Sequence, residues 1–338
     1  MMNHCGCSYF IFGDASVDNG NSNVLATVLK ADYPPYGVDF PQGVTGRFTN
    51  GRTIPDFIGQ LLGFDNFIPP YVNATNQNQE ISTGVNYGSG AAGIRDETGK
   101  NLVTTSDFVF RQHLSNIFVG DRFSLNRQIL NHAAIISRIS LKQKNKTFTQ
   151  EYLKKCIYVS IIGNDDYINN YLMPNNYPTS RIYTTDQYAT VLSLYKLGAR
   201  KIAVFGLGPI GCTPTEIARF GTDGKPCVDS INDAINLFNF KLKPLVNDLN
   251  KSFQDARFTF INVTVSPSAT QTVGPCCQVR EDGQCIPNAI PCPNRDLTVF
   301  FDGLHPTEIT NMGIASRAYN APSAMDASPY DINQLAQL

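Results

Sequence analysis

Short apolar runs that end abruptly at glycine punctuate the sequence. The first, Tyr9-Phe10-Ile11-Phe12, stops at Gly13-Asp14 and gives way to the polar loop Ala15-Ser16-Val17-Asp18-Asn19-Gly20-Asn21. A run with no polar alternation is buried on both faces, as in a strand inside a parallel sheet. Cys156 to Ile162 repeats the pattern and ends at Gly163-Asn164-Asp165-Asp166. Val85-Asn86-Tyr87, Lys201 to Phe205, Phe258 to Val263 and Leu297 to Phe301 read as further strands. Between them lie segments with helical spacing: Thr53 to Leu62 with Pro55 in its first turn, Asp121 to Ile139, Asp186 to Leu197 capped by Gly198, and Ile309 to Tyr319. Ser230 to Phe253 reads as a long helix that Pro244 should kink, and Val24 to Ala31 as a short one. Strands alternating with helices predict an α/β fold, a three-layer α/β/α sandwich around a flavodoxin-like parallel sheet with right-handed crossovers. Residues 1–338 are expected to form a single domain, ordered over 9–320, with a loose tail beyond Pro322. Ligands bind at the carboxyl ends of such strands, and Gly13, Gly90 and Gly163 would all lie beyond strand ends on one edge.

Composition narrows the function classes. With 42% hydrophobic residues in 338, the chain has enough apolar material for a large core. A net charge of -1 offers nothing to nucleic acid. The small basic cluster Lys142-Gln143-Lys144-Asn145-Lys146 reads as a solvated loop after a helix. No apolar run is long enough to span a membrane. Strand-like sequence begins almost directly after Met1, so no signal peptide is expected, and Met1-Met2-Asn3-His4 reads as a mature, truncated or incompletely specified start. Of the 9 cysteines, Cys276, Cys277, Cys285 and Cys292 crowd one segment, and Cys212 and Cys227 flank another loop and can pair. These spacings do not supply two C-x-x-C pairs, so disulfides are expected rather than zinc, and disulfides point to the secretory pathway. The sequons at Asn73, Asn145, Asn250 and Asn262 are no more than chance yields in a chain this rich in Asn, Ser and Thr. Gly206-Leu207-Gly208-Pro209-Ile210-Gly211 has glycine-loop spacing, but Pro209 removes a donor and Cys212-Thr213-Pro214 is not expected to open the helix a dinucleotide loop needs. No metal or cofactor motif is present, and none is expected.

The chemistry-bearing residues lie near the two ends of the chain. Asp302 and His305 sit three apart in Asp302-Gly303-Leu304-His305-Pro306-Thr307-Glu308. A carboxylate so placed can hold the ring by one nitrogen and leave the other to take a proton. His4, His113 and His132 lack such company and read as structural or solvent-facing. Together with Phe12-Gly13-Asp14, Thr45-Gly46-Arg47-Phe48, Asn86-Tyr87-Gly88-Ser89-Gly90, Leu197-Gly198-Ala199-Arg200 and Gly206 to Cys212, this segment resembles the plant-type GDSL esterase/lipase family, within the SGNH hydrolases, in motif order from Tyr9 to Tyr319.

That resemblance implies carboxylic ester hydrolysis by a Ser-Asp-His mechanism, with His305 as general base and Asp302 as its orienting partner. Gly90 matches the family's oxyanion glycine. The nucleophile position carries Ala15, whose methyl group cannot attack an ester. The neighbouring Ser16 is an unlikely substitute, because adjacent residues point in different directions. The family's oxyanion Asn falls on Asp165, with Asn164 one place early, and an ionised carboxylate has no proton to donate. The chain is therefore expected to be weak or inactive as a hydrolase, or else a pseudoenzyme that binds an ester or glycan. The implied substrates are small-molecule, lipid or polymer esters, and the implied location is extracellular. Two further departures from the family are a short helix after Asp186 and apparent extra sequence from Val103 to Phe118.

Overall fold

The computed structural model describes residues 8–75, 81–100, 120–172, 186–264 and 272–338. Met1-Met2-Asn3-His4, Cys5, Cys7, His113 and the Val103 to Phe118 segment lie outside these. Five parallel strands make the main sheet: β1 (Tyr9–Gly13), β2 (Gly84–Asn86), β3 (Ile157–Ile161), β4 (Lys201–Phe205) and β5 (Arg257–Ile261). Their order is β2-β1-β3-β4-β5, with all pairs parallel. Every residue of β1 and β3 is buried, as runs without polar alternation require. Helices α1 (Ile54–Leu61), α2 (Tyr71–Ala74), α3 (Leu125–Gln143), α4 (Lys146–Lys155), α5 (Asn164–Asp166), α6 (Asp186–Lys196), α7 (Pro214–Phe220), α8 (Asp229–Ser252) and α9 (Glu308–Tyr319) surround it. Pro244 stands inside α8 without ending it.

The structure corrects the sequence at several places. The tail is not loose. Ala327–Ser328 forms β8, which pairs antiparallel with β5 and makes the sheet mixed. It leads into α10 (Ile332–Gln337), capped by Asp331, whose Ile332 and Leu335 are wholly buried in the main core. Only two apolar side chains of a six-residue helix face inward, too few to read as a periodic pattern. Thr298–Phe300 is a strand, β7, but it pairs with β6 (Thr272–Pro275) in a separate ribbon. Val24 to Ala31 is not a helix: a single 3-10 turn, Asn21–Val24, ends at the extended Leu25. Backbone N–H groups of this loop are claimed by the Asp18 carboxylate, from Gly20 and Asn21 at 2.9 and 2.8 Å, and Thr27 bridges to Gly120. Helix α3 begins after Ser124 rather than at Asp121. A helix, α7, does begin at Pro214 after the Gly206–Gly211 loop. Even so, the loop holds no anion cradle, because its Leu207 and Gly211 N–H groups donate to Asn239 and Asn232.

Among the described residues three disulfides are formed, Cys212–Cys227, Cys276–Cys292 and Cys277–Cys285, while Cys156 is free and buried. Among the described residues there is no cluster fit for a metal ion and no helix long and apolar enough to cross a membrane. His132 is a core residue, fully buried among Phe10, Phe12, Tyr87 and Tyr158.

Candidate active site

Strand β1 delivers Asp14, Ala15 and Ser16 to the carboxyl edge of the sheet. The turn is tight because a Cβ on Gly13 would lie 2.2 Å from the Ile161 carbonyl oxygen of β3, so only glycine fits. The Gln128 side chain from α3 clamps the same residue, accepting from Gly13 N–H at 3.0 Å and donating to its carbonyl at 2.8 Å. Strand β3 ends likewise at Gly163, whose φ of 126° turns the chain into α5 and places Asn164 and Asp165 beside the β1 loop.

A loop from the other end of the chain closes the site. Asp302 is wholly buried and faces four donors. Leu304 N–H and His305 N–H reach Oδ1 at 2.8 and 2.6 Å, while His305 Nδ1 and the Tyr36 hydroxyl reach Oδ2 at 2.8 and 2.7 Å. A buried carboxylate facing so many donors is an acceptor, so Nδ1 carries the proton and Nε2 is the basic nitrogen. The Phe48 ring packs on the imidazole at 5.0 Å between centroids. Burial alone would lower the His305 pKa, but Asp302, Asp165 and Asp14 outweigh it and hold the ring above its ordinary value.

Tyr36 and Phe48 did not emerge as site residues from the sequence. The Tyr33-Pro34-Pro35-Tyr36 stretch reads only as a breaker, and its link to Asp302 spans the length of the chain. Tyr36 is itself held by the cysteine-rich loop, since Cys285 N–H donates to its hydroxyl oxygen at 3.1 Å. The disulfide Cys277–Cys285 thus supports the residue that supports Asp302.

Most of the remaining candidate residues meet at one cavity. Ala15, Ser16, Asn164, Asp165 and His305 all line one cavity of about 670 Å³. The Ser16 hydroxyl is committed to Asp14 Oδ1 at 2.5 Å, and Asn164 directs both its N–H and its side-chain amide to Asp14 Oδ2, each at 3.2 Å. The Ser16 hydroxyl cannot act on a ligand without breaking its bond, whereas Asn164 keeps the second hydrogen of its amide. Gly90 does not line the cavity. Its N–H donates to Asp18 Oδ2 and Ser22 Oγ, both at 3.0 Å, so the oxyanion role expected of it has no donor behind it. Asp165 is buried. Its Oδ1 accepts from Asn169 Nδ2 at 2.7 Å and its Oδ2 has no partner. Burial pushes this carboxyl well above the usual carboxylate range and Asp14 adds to the push, against weaker opposition from His305 and the Ala15 N–H.

Beyond this polar end the cavity is apolar. Ile54, Ile161, Ile168, Ile210, Val263 and Leu304 are among its walls, and among the described residues no Lys or Arg lines it. The arrangement brings a held imidazole, a buried carboxyl and a hydrophobic chamber together, with the Ala15 methyl at the end of β1.

Comparison with known proteins fits this geometry. The sequence model of the GDSL-like lipase/acylhydrolase family matches residues 9–317. The GDSL esterase/lipase At1g29660 of Arabidopsis thaliana is 45% identical, over 98% of this chain and 91% of its own length. Two others from the same organism, the GDSL esterase/lipases At1g29670 and At5g45670, are 43% and 42% identical, each over 98% of this chain and 91% and 92% of their own lengths.

Proposed function

The chain belongs to the GDSL-like lipase/acylhydrolase family, and from that premise we propose that it binds a neutral ester with an apolar body and hydrolyses it weakly or not at all. One observation carries the reading: the Asp302–His305 pair is intact at 2.8 Å, yet the residue facing the same cavity from the end of β1 is Ala15. The base can take a proton, but no hydroxyl stands ready to give one. The apolar walls favour an ester over a glycan, which would leave its hydroxyls unpaired there. Disulfides that survive only in an oxidising compartment support a secreted location.

Hydrolysis of short-chain nitrophenyl esters tests the proposal. The unmodified chain should stay near background. In a serine protease, loss of the nucleophile costs about 2 × 10⁶ in kcat, and loss of one oxyanion donor roughly 10²–10³. Ala15→Ser should therefore restore measurable turnover, and Ala15→Ser with Asp165→Asn should raise it further. Substantial activity in the unmodified chain that disappears in Ser16→Ala would overturn the proposal, since Ser16 would then be the nucleophile. An inert double variant would show that the retained base is no longer placed to work.

A further inference from the structure

Chance can place four sequons in a chain like this one, but the fold treats the four differently. N-linked glycosylation joins a sugar to the side-chain nitrogen of Asn in Asn-x-Ser/Thr. The oligosaccharide comes from a polyprenyl diphosphate carrier. A bond forms between Nδ2 and the sugar C1, the bond from C1 to the diphosphate oxygen breaks, and Nδ2 gives up a proton. The product keeps Oδ1 as an acceptor and keeps one N–H. A sequon can therefore carry a glycan in the folded protein only where its amide stands at the surface and the fold does not use both amide hydrogens.

Asn73 meets both conditions. It lies in α2, exposed like Thr75 two places on, and among the described residues no hydrogen bond engages its side-chain amide. Asn145 meets them too. It stands in the exposed turn between α3 and α4, where its duty falls on Oδ1, which accepts from Phe148 N–H at 3.0 Å as the cap of α4. A sugar on Nδ2 leaves that cap in place. Asn250, near the end of α8, fails. Its Nδ2 donates to the Val246 and Phe258 carbonyls at 3.1 and 2.8 Å, and its Oδ1 accepts from Phe258 N–H at 2.9 Å. Both hydrogens are used, and the bonds to Phe258 tie α8 to β5. Asn262, just past β5, is half-buried and held against Met325 and Asp326. Its backbone N–H donates to the Asp326 carbonyl at 2.8 Å, its Nδ2 donates to the Met325 carbonyl at 3.1 Å, and its Oδ1 accepts from Thr264 N–H at 3.0 Å. We propose that Asn73 and Asn145 are the N-glycan acceptors of this chain, and that Asn250 and Asn262 stay bare in the folded protein. This rests on the secreted location drawn from the disulfides. The transferase meets the chain before it folds, so the selection falls on folding: a sugar on Asn250 leaves the tie between α8 and β5 unmade, and such molecules do not reach the native state.

The full chain is made in plant suspension cells behind a cleavable secretion leader, so that the readout does not depend on the chain's own route. Folded protein from the medium is treated in heavy-oxygen water with a peptide amidase that removes plant N-glycans. Each glycosylated Asn becomes a labelled Asp, and the peptides are read by mass spectrometry. Label should appear at Asn73 and Asn145 and be absent at Asn250 and Asn262. By intact mass, Asn73→Gln should lose one glycan. Thr147→Ala should lose the other while keeping the Asn145 cap, and the two changes together should lose both with an unchanged circular dichroism spectrum. A bare Asn73 or Asn145, or a glycan on Asn250 or Asn262 of the folded protein, overturns the inference. The location is read separately, on protein taken from its native tissue. Glycans absent there but present on the leader-driven chain overturn the secreted location alone, and the assignment of the two acceptors stands.

Discussion

Replacing Arg47 by Met tests whether the turn from Thr45 to Arg52 holds the site together through a buried ion pair. Arg47 Nε lies 2.7 Å from Asp56 Oδ2 and its second nitrogen 2.8 Å from Oδ1, with the two side chains 3% and 5% exposed. The guanidinium also lies 4.1 Å from the Phe40 ring centroid. Asp56 in turn accepts from the N–H and the hydroxyl of Thr53, both at 2.8 Å, at the start of α1. The following residues carry the loop of His305: Phe48 packs on its ring, Thr49 donates to the Pro306 carbonyl, and Asn50 accepts from Glu308 N–H. Methionine keeps most of the apolar contact and removes the charge, so the loss is chiefly electrostatic. Removing one partner of a buried pair costs about 3–5 kcal/mol, and the two Thr53 bonds that remain on Asp56 favour the lower end of that range.

The sign of the pH dependence is distinctive. In the native protein burial works to raise the Asp56 pKa, but Arg47 outweighs it and the net shift is downward. That contribution is present above the unfolded Asp pKa of about 3.9, and is lost as pH falls through the lower folded value. Without Arg47, burial dominates and the folded pKa lies above the unfolded one, so the variant suffers most at neutral pH. The stability gap should narrow as pH falls from 7 towards 4. The chain contains no tryptophan, so urea unfolding is followed by far-ultraviolet circular dichroism at pH 7 and pH 4.5. A gap below about 1 kcal/mol at pH 7, or one unchanged at pH 4.5, would refute the assignment of a buried ion pair.

Three further outcomes are expected. Tyr36→Phe removes one of the four donors to Asp302; in an Ala15→Ser background it should lower kcat while leaving KM for a nitrophenyl ester unchanged, and a change in KM alone would contradict an orienting role. His132 is held neutral by burial, its pKa lowered to about 3, so its contribution is present above the unfolded value and lost as pH falls below it. His132→Phe should therefore move the acid unfolding midpoint to lower pH, as read by circular dichroism, and an unmoved midpoint would assign acid unfolding to other groups. Leu335→Ala, at a side chain wholly buried in the main core, should cost about 2–5 kcal/mol in urea unfolding, whereas a detached tail would lose nothing.

The sheet was legible in the sequence because a strand buried on both faces leaves a local mark. Tyr9 to Phe12 and Cys156 to Ile162 each reveal strand, burial and direction within a few residues. The Asp302–His305 pair was legible for the same reason, as both partners lie on one loop. Ala15 and Asp165 were visible as departures from a family pattern, but their consequences were not. Residues far apart in the chain decide those consequences: Asp14 holds Asn164, Asp18 and Ser22 consume the N–H of Gly90, and Tyr36 reaches Asp302 from the opposite end of the chain. The last strand and helix were missed because one buried turn has too few inward residues to show a period. Identity and order of elements are set by short-range pattern. Which hydrogen-bonding atoms remain unpaired in a closed cavity depends on every neighbour at once, and only the folded chain brings those neighbours together.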